Sequence, residues 1–308
     1  MTLGMDELMK LRAQKQSEAP YSPDENNKRG YSALMRNTAK KVPVNLENTR
    51  KDSDGFLYCT LCGGKRQTKV DLPDGTTMNV PCLCKCMMEK SEENGRVQAE
   101  KERAMEIEGL RADAFSGMDK CMAGFTFASD DRANPKVSAG MQSYCENFPR
   151  LRRDGKGILL YGDVGTGKSF FAACIVNELV SKGYRCRMTT FSRLTNQISA
   201  IWNGKMDFID ELANLDLISI DDLGVERDTE YMNEHITTIV DTLYRAKVPM
   251  VITSNFSPQQ MTEECEIRRK RIYDRLLERC HPVMMVGESR RKNMGRNDYR
   301  EMKSLLGV

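Results

Sequence analysis

Gly157-Ile-Leu-Leu-Tyr-Gly162-Asp-Val-Gly165-Thr-Gly167-Lys168-Ser169 decides how this chain is read. It is a short apolar strand, a glycine-rich loop and the start of a helix. Residues Gly162 to Ser169 match G-x-x-x-x-G-K-[ST]. The glycines let the backbone curl until its N–H groups point at a phosphate. The helix that follows adds the positive end of its dipole. Lys168 is placed to reach the β- and γ-phosphates, and Ser169 to hold Mg²⁺. The expected nucleotide contacts are Gly162, Asp163, Val164, Gly165, Thr166, Gly167, Lys168, Ser169 and Phe170. A plain glycine turn between strand and helix does not require a Lys-Ser pair at this point.

Downstream, strand and helix signals alternate, which predicts a parallel α/β sheet. Strands are expected at Arg185 to Thr190, Leu215 to Asp222, Pro249 to Asn255 and Pro282 to Val286. Helices are expected at Ser192 to Trp202, Glu230 to Ala246 and Ile267 to Arg279, the last strongly basic. The Leu215 strand ends in two carboxylates, and strand ends of this kind sit beside the ligand in such sheets. Asp221 is expected to bind Mg²⁺, directly or through water. Asp222 is expected to orient or deprotonate the attacking water, and Asn255 to position it against the γ-phosphate. The other reading of Asp221-Asp222 is a polar strand end or a helix cap.

Upstream, the helix Pro135 to Phe148 and a basic loop Arg150 to Lys156 lead into the first strand. Five of the 11 cysteines fall between Cys59 and Cys86. Cys59-x-x-Cys62-Gly is a knuckle that lets two thiolates converge on one ion. Nineteen residues separate Cys62 from Cys82. Among them, Lys69 to Val80 reads as a hairpin turning at Asp74-Gly75, which would bring the cysteine pairs together. A closed Zn²⁺ site of Cys59, Cys62, Cys82 and Cys84 is expected, with Cys86 as the substitute for either of the last two. An iron–sulfur cluster and a set of free thiols are the other readings. Met87 to Arg111 has interleaved charges and reads as an exposed connecting helix. Met1 to Leu11 is expected to form a short amphipathic helix on Leu3, Leu8, Met9 and Leu11, and Gln14 to about Asn48, which lacks periodicity, to be a flexible or partner-dependent segment. The expected organisation is an arm at 1–55, a zinc module at 56–90, a connecting helix at 91–112 and an ATPase domain at 113–308.

Of 308 residues, 40% are hydrophobic and 30% charged, a balance that suits a water-soluble folded chain. No apolar run reaches membrane-spanning length, and the N-terminus has no basic n-region or h-region. A cytoplasmic location is therefore expected. Formal net charge is only +3. From Glu266 to Lys303, however, twelve Lys/Arg stand against six Asp/Glu. Such a basic end fits a phosphate-facing surface, a subunit interface or simply a solvated helix face.

Taken together, Gly162 to Ser169, Leu217 to Gly224, Thr253-Ser254-Asn255, Arg271-Ile-Tyr-Asp-Arg275 and Ser289-Arg290-Arg291 resemble an AAA+ ATPase. Within that class the chain resembles the DnaC/DnaI-type replicative helicase loaders, close to the IstB transposition helpers. The resemblance covers about Phe115 to Lys292, and a cysteine-rich module ahead of the ATPase is similar to the DnaI-type arrangement. It implies Arg275 as an arginine finger acting on ATP in a neighbouring subunit, and Arg291 as a sensor-2 arginine. Arg271 and Arg290 are the neighbouring alternatives. It also implies a hexameric replicative helicase as partner, gripped by the arm and the zinc module. Side-by-side self-association, ATP with Mg²⁺, and loading onto single-stranded DNA follow from the same likeness. Aromatics at Trp202 and Tyr231 would stack on bases, with Lys205 and Arg227 near phosphates; the other reading packs Trp202 on the sheet and half-buries Tyr231. Two features depart from many AAA+ proteins: Asp222 stands where Glu is common, which suggests slow hydrolysis, and 17 residues follow Arg291, too few for a full lid. The alternatives are an IstB-like helper of a transposase and an ATP-switched DNA-binding adaptor. Arg275 and the Thr-Ser-Asn strand end speak against a small-molecule P-loop kinase.

Overall fold

The computed structural model describes residues 32–36, 47–224, 229–264, 266–287, 289, 302–303 and 305–306. The expectations for Met1 to Leu11, for most of Gln14 to Asn48, and for Arg227, Arg290 and Arg291 lie outside these residues. The chain divides into two compact units, Met1–Lys101 and Glu102–Val308. No helix among the described residues is long and apolar enough to cross a membrane.

In the first unit, β1 (Thr49–Lys51) pairs antiparallel with β2 (Leu57–Cys59). The expected hairpin is formed by β3 (Gln67–Asp71) and β4 (Thr77–Pro81), in register from Gln67↔Pro81 to Asp71↔Thr77. Its turn closes through Leu72 N–H to Thr76 O (2.7 Å) and Gly75 N–H to Leu72 O (2.9 Å). Gly75 has φ 78°, a left-handed conformation that glycine adopts without steric cost. A helical turn at Ser32–Arg36 meets this hairpin. Ser32 Oγ accepts from Asp74 N–H (3.2 Å), and Arg36 pairs with Asp74 (3.0 Å). Helix α1 (Lys85–Ala114), 30 residues long, begins in this unit, inside the stretch expected to belong to the zinc module, and ends within the residues of the second. Its acidic and basic side chains alternate along one long exposed run, as the interleaved sequence implied.

In the second unit, α2 (Pro135–Glu146) and α3 (Phe148–Asp154) precede β5 (Gly157–Gly162). The stretch expected to be a basic loop is largely α3, stopped by Gly155 at φ 63°. Then follow α4 (Lys168–Ser181), β6 (Cys186–Thr190), α5 (Phe191–Ala200), α6 (Lys205–Ala213) and β7 (Leu217–Leu223). The chain ends its core with α7 (Glu230–Ala246), β8 (Met250–Ser254), α8 (Pro258–Thr262), α9 (Ile267–Arg279) and β9 (Cys280–Met285). Helix α6 was not anticipated, although Phe208, Ile209 and Leu212 form an apolar stripe at helical spacing that packs on the core.

The five strands lie in the order β6-β7-β8-β5-β9, and every pairing is parallel. Side chains of a strand alternate between faces, so each strand feeds two cores. Leu159, Ile218, Ile220, Met250 and Ile252 join α5, α6, α7 and α9 on one face. Ile158, Leu160, Leu217 and Val251 join α2, α3 and α4 on the other. Burial on both faces explains why these strands read as continuous apolar runs. Complete burial of a leucine such as Leu159 (0% exposed) stabilises by about 1.5–3 kcal/mol. Glycine is required at position 157, where a Cβ would lie 2.0 Å from Met250 O across the β5–β8 pair.

Candidate functional site

β5 stands beside β8 where the winding of the sheet reverses, so its C-terminal end opens on the crevice where such sheets bind ligands. The loop from Gly162 to Gly167 lies there. Gly165 and Gly167 hold φ of 86° and 95°, and a Cβ on Gly165 would stand 2.1 Å from Ser289 Oγ. Helix α4 begins directly after Gly167, and no side chain caps it. The positive end of its dipole lies at the loop, which suits an anion. Lys168 is 6% exposed and arches back over the loop, its Nζ donating to the carbonyls of Gly162 and Asp163 (2.8 Å each). Thr166 Oγ1 also donates to Asp163 O (2.9 Å), which stiffens the loop from inside. Asp163 and Val164 are exposed and Ser169 is half-buried. Phe170 packs its ring on Phe125 (5.2 Å) and so anchors the first turn of α4.

The two carboxylates end β7. Asp221 is 4% exposed and faces inward, accepting a hydrogen bond from Thr253 Oγ1 (2.5 Å). Asp222 is exposed and left-handed, at φ 58°, where the β7–β8 register shifts between Ile220 and Leu223. This bulge turns the second carboxylate out of the strand's regular alternation. Asn255 is exposed and follows Ser254, which pairs with Tyr161, so it emerges next to Gly162. The structure thus brings together Gly162 to Ser169, Asp221, Asp222 and Asn255. Ser169 Oγ and the Asp221 carboxylate are hard oxygen donors of the kind Mg²⁺ takes. The uncapped helix start and the Lys168 ammonium suit the phosphates.

Three predicted residues stand apart from this group. Arg275, on α9, forms an ion pair with Asp241 of α7 and lies 5.9 Å from the Tyr244 ring centre. Trp202 lies beyond the end of α5, which stops two residues short of the predicted boundary. It is 93% exposed, so the reading in which it packs its helix on the sheet is overturned. Tyr231 is half exposed in the first turn of α7. Its hydroxyl accepts from Ser199 Oγ (3.3 Å) and its ring meets His235 edge-on at 4.4 Å. Sequence reasoning singled out Thr253 only as part of the Thr-Ser-Asn strand end, without its contacts to Asp221 and Asp222, and missed Asp241 altogether. Neither residue type carries a local signal; only the strand pairing and the α7–α9 packing give them partners.

The first unit holds a separate cluster. The sulfurs of Cys59, Cys62, Cys84 and Cys86 lie within 4.8 Å of one another. Cys59 and Cys86 are 3.6 Å apart, and Cys84 and Cys86 are 3.4 Å apart. Four sulfurs held tetrahedrally about 2.3 Å from zinc stand about 3.8 Å from each other, so the set fits that ion. The N–H groups of Cys62 and Leu61 pull the Cys59 thiol down to about 6, and those of Cys86 and Gly64 lower Cys62. Hydrogen bonding to the sulfurs of Cys84, Cys62 and Cys59 pushes Cys86 up to about 12. The expected ligand Cys82 is replaced by Cys86. Cys82 still belongs to the hairpin ladder, its N–H on Arg66 O (2.8 Å) and its Sγ donating to Lys65 O (3.4 Å). Cys84 O instead accepts the N–H groups of Met87 and Met88 (3.0 Å each), so the first turn of α1 swings Cys84 and Cys86 onto the knuckle. Purified protein is expected to hold near-stoichiometric zinc, retained in Cys82→Ser and lost in Cys86→Ser. Metal analysis showing the reverse would restore Cys82 as the ligand.

A five-stranded parallel sheet in this strand order, with a lysine-bearing phosphate loop on its first strand and an aspartate pair ending its third, is that of the AAA+ P-loop ATPases. The family model described as "IstB-like ATP binding protein" matches residues 86–297, and the chain belongs to that family. The chain is 28% identical over 187 residues to the replicative helicase loader DnaI of Bacillus subtilis, an alignment covering 55% of this chain and 59% of that protein. It is 28% identical over 141 residues to the replicative helicase loader DnaC of Escherichia coli K12, covering 44% and 54% respectively. The alignments thus span little more than half of each relative. The crystal structure of the DnaC helicase loader aligns with a TM-score of 0.49 at 18% identity, over 55% of this chain and 100% of that one.

Proposed function

We propose that this protein uses ATP to load a hexameric replicative helicase onto single-stranded DNA. The observation that carries this reading is a four-thiolate module joined in one chain to an ATPase domain whose relatives bear the name replicative helicase loader. The N–H groups of Gly165 to Ser169 hold the β- and γ-phosphates. Lys168 exchanges the carbonyls of Gly162 and Asp163 for phosphate oxygens. Ser169 and Asp221 would hold Mg²⁺, which would supply positive charge beside the phosphates. Asp222 takes or directs the proton of the attacking water, and Asn255 orients that water from the neighbouring strand. Arg275 acts on the nucleotide of an adjacent copy and Arg291 on that of its own chain. The arm and the thiolate module grip the helicase, and hydrolysis releases the loader.

Affinity capture from the source cell with the full chain as bait, in ATP and in ADP, tests this reading. A replicative helicase is expected, enriched in ATP. Recovery of a transposase instead would favour the IstB-like helper, and recovery of neither would favour the DNA-binding adaptor.

Trp202 and Tyr231 are the proposed DNA contacts. An indole this exposed is free to stack on a base, worth about 1–3 kcal/mol per base without reading its identity. Trp202→Ala and Tyr231→Ala are each expected to weaken ATP-dependent single-stranded DNA binding several-fold, with folding and ATP binding retained. Trp202 is the one tryptophan of the chain, so saturating DNA should quench its fluorescence. An unquenched indole on DNA saturation would remove Trp202 from the interface.

A further inference from the structure

We propose that Thr253 is the positioning residue that sets the metal-binding carboxylate and the second aspartate in one geometry. The proposal rests on the reading of Asp221 as the Mg²⁺ ligand and deepens it. Thr253 is fully buried in β8, at 0% exposure. Its hydroxyl is used in both directions: Oγ1 donates to Asp221 Oδ1 (2.5 Å) and accepts from the Asp222 N–H (2.9 Å). One side chain therefore touches both residues of the aspartate pair, across 32 and 31 residues of sequence.

Each contact has a separate consequence. A buried carboxylate rotates about its last torsion unless something holds it, because that torsion is broad. The hydroxyl holds Oδ1 of Asp221. Asp222 is left-handed, a conformation that costs a non-glycine residue of the order of 1 kcal/mol or more. Its N–H has left the regular β7–β8 ladder at the bulge, and Thr253 supplies its acceptor. The next residue completes the stitch without touching the carboxylates: Ser254 Oγ donates to Leu223 O (2.9 Å) and accepts from Phe256 N–H (3.0 Å). In Thr253-Ser254-Asn255 the threonine orients the aspartates, the serine ties the strand ends, and the asparagine faces the crevice.

The test compares Thr253→Val, which keeps the shape and removes the hydroxyl, with Thr253→Ser, which keeps the hydroxyl. Ser254→Ala serves as the control for simple loosening of the same strand end. Three quantities are measured on the full chain: ATP affinity in excess EDTA by calorimetry, Mn²⁺ affinity of the protein–ATP complex by electron paramagnetic resonance, and turnover against Mg²⁺ concentration. Thr253→Val is expected to keep its EDTA affinity within about twofold. Its Mn²⁺ affinity is expected to fall about tenfold to a hundredfold, the usual effect of losing a hydrogen bond to a charged group. Turnover at saturating Mg²⁺ should fall by at least a similar factor. Thr253→Ser should recover both to within a few-fold, and Ser254→Ala should lower thermal stability without moving Mn²⁺ affinity. Thr253→Val with unchanged Mn²⁺ affinity, or Ser254→Ala with the same loss, overturns the proposal. If the valine variant does not fold, Thr253→Ala, which also lacks the hydroxyl, carries the test, and a wild-type Mn²⁺ affinity there overturns it equally. Wild-type protein that hydrolyses no ATP in Mg²⁺ would overturn the underlying reading instead.

Discussion

Lys168→Ala is expected to abolish nucleotide binding while the protein stays folded. Lys168 is 6% exposed, and its ammonium already sits over the loop on two backbone carbonyls at 2.8 Å. Exchanging those carbonyls for phosphate oxygens gives two charge-assisted hydrogen bonds, each about 1.5–3 kcal/mol. Their loss corresponds to about a hundredfold to ten-thousandfold in Kd, which calorimetry with ATP reads directly. The fold should survive because α4 is held by Phe171, Ile175, Leu179 and Val180, all 0% exposed, rather than by its first residue. Tight ATP binding by a folded Lys168→Ala protein would contradict the proposed site. Asp222→Asn separates binding from chemistry at the same site. Asparagine tolerates the left-handed backbone, and its N–H can still reach Thr253, so geometry is preserved. ATP affinity should hold while turnover falls about 10²–10⁴-fold with the lost carboxylate. Undiminished turnover would take Asp222 out of the mechanism.

Arg275→Ala carries the second large effect. In this chain Arg275 is engaged with Asp241 and covered on one side by Tyr244, its side chain 22% exposed. Acting on a neighbour's ATP requires it to leave Asp241, so its effect should be absent from the monomer and appear on assembly. ATP affinity of the isolated chain should stay nearly unchanged. The assembly-stimulated ATPase should fall about 10³–10⁵-fold, the range for a finger supplied in trans. The variant also strands Asp241, which is 19% exposed at the side chain, so Arg275→Ala/Asp241→Ala serves to separate lost stability from lost stimulation. Mixing Arg275→Ala with Lys168→Ala should restore activity in part, since one interface type keeps both a nucleotide and a finger. If mixed assemblies form and none turns over, the trans role is wrong, and exposed Arg271, one turn earlier on α9, is the residue to test.

The pattern from Gly157 to Ser169 was legible because every part of it is local: an apolar run, glycines at fixed offsets and a Lys-Ser pair at a helix start. The apolar strands around Asp221 and Thr253 were equally plain, since burial on both sheet faces leaves no polar alternation to obscure them. The knuckle at Cys59 and Cys62 was local too. Helix α6 carries an apolar stripe but starts at Asn203-Gly204, a pair that reads as a turn, where Gly204 at φ 88° begins a new helix instead of opening a loop.

The sequence by itself determined a phosphate loop on a parallel α/β sheet, an aspartate pair at a strand end and a clustered set of thiols. Tertiary structure decided the rest. It chose Cys86 over Cys82, because the hairpin ladder keeps Cys82 on Lys65 while the first turn of α1 turns Cys84 and Cys86 inward. It exposed Trp202 by ending α5 at Ala200. It paired Arg275 with Asp241 and set Thr253 between Asp221 and Asp222. Trp202 aside, these outcomes are contacts between segments some 17 to 34 positions apart. Spacing along the chain says which residues share a face of one element; only the packing of that element against another says which of them meet.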